Sequence, residues 1–385
     1  MEINNNLKDI KILFIHNTVM WYRKPFFKKL SEIYNIKFIF THMQASKEIY
    51  NVEIPDEIEG MNDVNYSVLK NHFNIAFGAI KESFGDYDIL VGGSWDTLSE
   101  LFETTFYFMV AKLRRKKFVI WREDWAWGVE SFKKSMITPL IKLIIRNSDA
   151  VIVPGTKHRE YFISLGSSPS KTFLMPNVSN MTYKSDYLEK KEFLKEKLKL
   201  KNKKVVLYVG RLVKRKGVEY LIKSFKKLHK QRKDIVLIIV GDGNCRSQLE
   251  SISRGIDDIY FTGQIGNEDL PAYYALCDVC VVPSITYEMG DPWVFILNEA
   301  MYFGKPVIAT DAVGAAFDMI KNGENGFIVP ERDVESLYKT IADVLSDPDL
   351  KEKMGYKSKQ IIEERFRYGN MVKGFQNAVN YVINK

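Results

Sequence analysis

The chain has 385 residues, 46% of them apolar and 27% charged, with a formal net charge of +8. That length exceeds what one hydrophobic core ordinarily supports, so two globular domains are expected. No apolar run approaches the roughly 20 residues that cross a bilayer, and the polar start "MEINNNLKDIKILFIH" lacks a small-residue cleavage site, so neither a membrane span nor a secretory leader is expected.

The first half alternates apolar runs with helical spacing. "IKILFIH" (10–16), "IKFIF" (36–40), "DILVGG" (88–93), "KFVIW" (117–121) and "DAVIVP" (149–154) read as buried strands. Helical patterns lie between them, as in "KPFFKKLSEIY" (24–34) and "SELFETTFYFMVAKLRR" (99–115). Such alternation implies a parallel sheet with helices on both faces. "MPNVSNMTYKSDYLEKKEFLKEKLKLKNKK" (175–204) interrupts it as a linker with a short basic helix. Strands then resume at 205–210, 235–241, 259–263, 278–284 and 305–310, with helices expected over 217–230, 244–254, 268–276 and 292–303. The tail, 366–385, has the pattern of an amphipathic helix.

The fold class expected is therefore α/β, with two doubly wound, Rossmann-like parallel-sheet domains facing a cleft. The boundaries read as 1–178 for the first domain, 179–204 for the linker and basic helix, 205–364 for the second domain, and 365–385 for a terminal helix. Ligands of open α/β sheets sit beyond the carboxyl ends of the strands, so functional residues are sought there.

The excess charge is local. Residues 181–233 hold 19 Lys and Arg against 5 Asp and Glu, whereas 234–385 hold 14 against 23. Nucleic acid, a membrane surface and a small anion are all partners that such a stretch admits, beside plainly solvated lysines. Within it, "YVGRLVKRKG" ends a strand at Gly210 and places Arg211 and Lys216 around a loop that opens a helix. A guanidinium fork, a lysine and a helix N-terminus suit a pyrophosphate. Farther on, "GDPWVFILNEAMYFGKPVIAT" carries Asp291 and Glu299 eight residues apart. Read as a helix starting at Pro292, it would have Asp291 as N-cap, with both carboxylates on broadly one side. Glu299 sits in an apolar helix, where a carboxylate needs a reason. Cys277 and Cys280 form a C-x-x-C inside the apolar run "LCDVCVVP" and read as buried thiols rather than a metal or redox pair. "GDG" at 241–243 lacks the remainder of a dinucleotide fingerprint.

Taken together, "GRLVKRKG", "VGDGNCRSQLE", "FTGQI" and "DPWVFILNEAMYFGKPVIAT" resemble the signature of the GT4 retaining glycosyltransferases, which have the GT-B fold; "SDAVIVPGTKHREYFISLGSSPSKTFLMPNVSN" resembles the end of that family's first domain. The resemblance implies that the second domain binds a nucleotide-diphosphate sugar as donor. Arg211 and Lys216 would hold the diphosphate, Glu299 the ribose, and Asp291, where the family usually has glutamate, the transferred sugar. Gly210, Gly241, Gly290, Trp293 and Val294 would lie along the phosphates and sugar, and Ile265 beside the base. No metal and no further cofactor would be required. The first domain would bind the acceptor, a glycan or a lipid-linked sugar. His16 follows the first strand. Where many members have a histidine after the strand "FVIW", this chain has "REDW", so Glu123 or Asp124 would take the acid/base or positioning role. "GGSWD" (92–96) would line the same pocket. A cytoplasmic protein without a nucleic-acid partner is implied, acting in polysaccharide or cell-envelope synthesis. The stretches 106–118 and 132–146 are candidates for a peripheral contact with the inner membrane face. A nucleotide-sugar epimerase and a non-catalytic nucleotide-sugar-binding subunit are the alternatives.

Overall fold

A computed structural model describes residues 7–43, 58–69, 71, 74–125, 132–181 and 186–385. Thirteen strands are found among them. The first seven are β1 (Lys11–His16), β2 (Asn35–Phe40), β3 (Tyr66–Val68), β4 (Ile89–Gly92), β5 (Lys117–Trp121), β6 (Ala150–Val153) and β7 (Thr172–Leu174). They form one sheet in the order β3-β2-β1-β4-β5-β6-β7, every pair parallel. The remaining six are β8 (Lys204–Val209), β9 (Ile235–Val240), β10 (Ile259–Gly263), β11 (Val279–Val282), β12 (Val307–Thr310) and β13 (Gly326–Val329). Their sheet is also parallel, in the order β10-β9-β8-β11-β12-β13.

Central strands such as β6, β9 and β11 are buried along their whole length, because helices cover both sheet faces and no residue there meets water. The strands absent from the sequence reading are β3, β7 and β13. Each lies at a sheet edge and is three or four residues long, too short to show a period. The order reverses between β1 and β4 in one sheet and between β8 and β11 in the other. Such reversal points open crevices at the carboxyl ends of the strands. The tail helix Tyr368–Ile383 turns its apolar side into the first sheet's core, where Phe375 stacks on Phe14 with ring centroids 5.9 Å apart.

Candidate active site

At the reversal point of the second sheet, β8 ends and the chain turns at Gly210. The backbone there runs against that of Gly241: a Cβ on Gly241 would lie 2.0 Å from the Gly210 carbonyl oxygen, so no larger residue fits. Arg211 follows with its side chain exposed and no ion pair among the described residues. Gly217, at φ +61°, closes the loop and starts the helix Val218–Gln231.

Lys216 does not stand free in that loop. Its Nζ lies 2.5 Å from Asp291 Oδ2. Ser284 Oγ donates to the same oxygen at 2.8 Å, and Arg215 Nη1 lies 3.6 Å from Oδ1 while donating to the Gly290 carbonyl at 3.1 Å. Asp291 is 2% exposed. Burial alone would push its pKa up, but the charges of Lys216 and Arg215 outweigh it and hold the carboxyl below its usual range. Arg215, one step before Lys216 in "KRKG", is a residue that the sequence reading did not single out.

One expectation fails here. The helix begins at Phe295 and runs to Tyr302, with Val294 as its N-cap and no side-chain cap. Asp291 is neither cap nor part of the helix. Its amide donates to Ala312 O, its carbonyl accepts from Gly314 N, and it bridges to Val313. This tertiary pairing keeps 291–294 out of the helix although Pro292 would suit a first turn. Asp291 and Glu299 therefore do not share a helix face.

Glu299 is half-buried, and accepts from Tyr274 OH at 2.6 Å and Ser179 Oγ at 2.9 Å. Burial raises its pKa against the pull of those two bonds. Tyr274 and Ser179 were not foreseen; a buried tyrosine facing an acid from another helix leaves no local sequence pattern. The Trp293 ring is buried and its Nε1 donates to Asn298 Oδ1 at 3.1 Å, which leaves only its backbone and that of Val294 for a ligand. Ile265 packs, partly buried, against the second domain's core. Cys277 and Cys280 are buried free thiols; burial pushes the Cys277 pKa up to about 12. Among the described residues no group of three or more His, Cys, Asp or Glu side chains is arranged to hold a metal ion.

Across the cleft, the ends of β1, β4 and β5 surround a cavity of about 360 Å³. His16, Gly92, Gly93, Asp96, Arg122, Glu123 and Asp124 line it, and the loop carrying Asp291 closes it with Met289 and Pro292. Arg23 lies over the Trp121 ring at 4.5 Å, paired to Glu123 and donating to His16 Nε2 at 3.1 Å. Since a guanidinium can only donate, His16 is the Nδ1–H tautomer, donating to Thr18 O at 2.8 Å. Burial, with the Arg23 charge, lowers the His16 pKa to about 3. Its lone pair is already occupied, so His16 supports Arg23. Arg122 binds Asp124 through two nitrogens at 2.6 and 3.0 Å and Asp96 at 2.7 Å. Trp95 Nε1 adds a bond to Asp124 at 2.7 Å. Glu123 is held ionised: burial works against it, but the Arg23 charge wins. Arg23 and Arg122, both nine-tenths buried or more, were given no role in the sequence reading because an arginine in a loop looks like any surface arginine.

The two domains also touch directly. Thr156 donates its amide and hydroxyl to Asp318, at 2.9 and 2.6 Å, so the helix Thr156–Ser164 is capped from the other domain. His158, wholly buried, stacks on Trp125 with ring centroids 6.0 Å apart and meets the tilted Trp293 ring at 6.3 Å.

Residues 189–361 match the family described as "Glycosyl transferases group 1". The chain is 33% identical over 164 residues to an alpha-D-kanosaminyltransferase of Streptomyces kanamyceticus, covering 42% of this chain and 41% of that one. It is 28% identical over 335 residues to an uncharacterized glycosyltransferase of Methanocaldococcus jannaschii, covering 83% and 82%. Among solved structures, Anabaena HepE in complex with UDP-glucose superposes with a TM-score of 0.71 at 19% identity, covering 98% of this chain and all of that one. Residues 189–361 thus carry the group 1 glycosyltransferase signature, and the two parallel sheets meeting at a cleft give the chain the GT-B architecture.

Proposed function

We propose that this chain transfers a sugar, with retention of anomeric configuration, from a nucleotide-diphosphate sugar in the second domain to a glycan or lipid-linked sugar in the first-domain cavity. One observation carries the reading. The loop holding Asp291 against Lys216 and Arg215 is also a wall of the cavity across the cleft, so donor and acceptor would meet at one carboxylate. HepE was solved with UDP-glucose, which supports a donor of that class here.

In this account Arg211, exposed and unpaired, receives the diphosphate first. The incoming phosphates then compete with Asp291 for Lys216. The carboxylate so released accepts sugar hydroxyls, while the two cations stabilise charge developing on the leaving diphosphate. Glu299, oriented by Tyr274 and Ser179, takes the ribose. No metal is required, so activity is expected to persist in EDTA. A lipid-linked acceptor fits the surface of the helix Leu98–Leu113, where Leu98, Phe102, Met109 and Leu113 are exposed at helical spacing beside exposed Arg114 and Arg115. No helix among the described residues is long and apolar enough to cross a membrane; the contact proposed is peripheral, on the cytoplasmic face.

Incubation with a nucleotide-sugar panel and cell extract, read by mass spectrometry and by NMR of the product's anomeric centre, tests this. The expected product is a glycoside with the donor's configuration. An inverted glycoside would remove the retaining mechanism. An isomerised donor formed without acceptor would favour an epimerase.

A further inference from the structure

We infer that the first-domain cavity selects an acceptor sugar that is uncharged or carries an amine and rejects one carrying phosphate or carboxylate, with Asp96 reading the charge. This rests on the proposal that the cavity is the acceptor site.

Among the described residues the cavity has two cations, Arg23 and Arg122, and neither is available. Arg122 spends Nε and Nη2 on Asp124 and both Nη atoms on Asp96, the longest bond being 3.4 Å. Arg23 spends Nη2 on Glu123 and Nη1 on His16. Their side chains are only 10% and 8% exposed. His16 is neutral and offers no charge. Among the described residues, the other titratable side chains lining the cavity are Asp96, Glu103, Glu123 and Asp124, with Tyr22 and Tyr107 as phenols. Burial raises the Glu103 pKa; even if that carboxyl is protonated, three carboxylates face two guanidiniums. The second domain adds only Met289 and Pro292 to the wall, and neither carries charge.

Among the groups bound to Arg122, Asp96 is the one open to solvent, with 60% of its side chain exposed. The Arg122 charge holds its pKa below the usual range, so at neutral pH it is ionised. A phosphate or carboxylate entering here would meet excess negative charge, and to bind either guanidinium it would have to displace an existing carboxylate. An ammonium would meet Asp96 directly. Hydroxyls are accepted by the same carboxylates without a charge penalty.

Saturation-transfer NMR on the full chain, with glucose, glucosamine, glucose 6-phosphate and glucuronate at equal concentration, tests the inference. Each is measured with and without the nucleotide sugar that most raises the melting temperature. Glucosamine is expected to bind about two- to fivefold better than glucose, the worth of one partly exposed ion pair, and the two anionic hexoses to give no transfer. Asp96→Asn should bring glucosamine down to the level of glucose. Glucose 6-phosphate or glucuronate binding as well as glucose overturns the inference. So does an amine preference that survives Asp96→Asn, or silence from all four sugars. A chain that binds no nucleotide sugar but still ranks the hexoses this way keeps the charge selection and loses the donor assignment.

Discussion

Lys216 holds Asp291 at 2.5 Å, joining the turn after β8 to the loop before the helix Phe295–Tyr302, 75 positions away. In the proposed function the pair lies where donor and acceptor would meet, so its cation would serve both the resting fold and the reaction. Arg211 lacks this double duty, and the two cations can be separated experimentally.

Arg211→Ala is expected to leave the melting temperature almost unchanged, because an exposed unpaired side chain contributes within about 0.5 kcal/mol. Donor affinity should fall about tenfold or more, the loss of a charge-assisted bond worth about 1.5–3 kcal/mol. Lys216→Ala should lose donor affinity and also stability, up to about 3 kcal/mol, since it strands a buried carboxylate with Arg215 and Ser284 alone. Urea melts with donor titrations of both variants check this. Equal stability losses would contradict it.

Glu299→Gln separates binding from folding in the opposite sense. Burial raises the Glu299 pKa, so the ionised form is disfavoured in the fold relative to the unfolded chain. It therefore weakens stability above its folded pKa and ceases to do so below the ordinary carboxylate range. The variant should be at least as stable as the parent at pH 7, lose that advantage near pH 4, and bind donor about tenfold less tightly. Melting curves across that range, beside a donor titration, give the answer.

His158 sets the acid limit. Burial lowers its pKa to about 4, while the unfolded chain takes up the proton near 6.5. Stability is thus present above 6.5 and lost as pH falls toward 4. His16, at about 3, adds a loss of the same sign. His158→Phe should flatten the acid side of a stability–pH curve by on the order of 2 kcal/mol at pH 4.5. An unchanged curve would mean that His158 is solvated or paired in solution.

Glu123 should behave as the partner of a buried guanidinium. Glu123→Ala leaves Arg23, 7% exposed, without its carboxylate and is expected to cost about 3–5 kcal/mol. Glu123→Gln keeps an acceptor for Arg23 and should cost less. If it still abolishes transfer while the fold holds, Glu123 acts in the reaction as well as in the scaffold.

The interior of both sheets was legible because strands buried on two faces are continuous apolar runs: "KFVIW" coincides with β5 and "IVLIIVG" contains β9. The edge strands β3, β7 and β13 were not, having too few residues to show a pattern. Residues at strand ends, such as Arg211, His16 and the "REDW" acids, could be placed at the cleft because a parallel sheet dictates where its carboxyl ends point. Residues defined by partners far along the chain could not. Asp291 reads locally as a helix cap, and only its pairing with Ala312 and Gly314 shows otherwise. Arg23, Arg122, Arg215 and Tyr274 gain their meaning from carboxylates supplied by other elements.

In the proposed function the second domain takes a nucleotide-diphosphate sugar at Arg211, Lys216 and Glu299. A thermal-shift titration of the wild type and Arg211→Ala with UDP-glucose and other nucleotide sugars reads that binding without any acceptor. One donor is expected to raise the wild-type melting temperature in a concentration-dependent way, and Arg211→Ala, equally stable without ligand, to show little or no shift. A wild type unmoved by every nucleotide sugar, or an Arg211→Ala protein that responds as strongly as the parent, would contradict it.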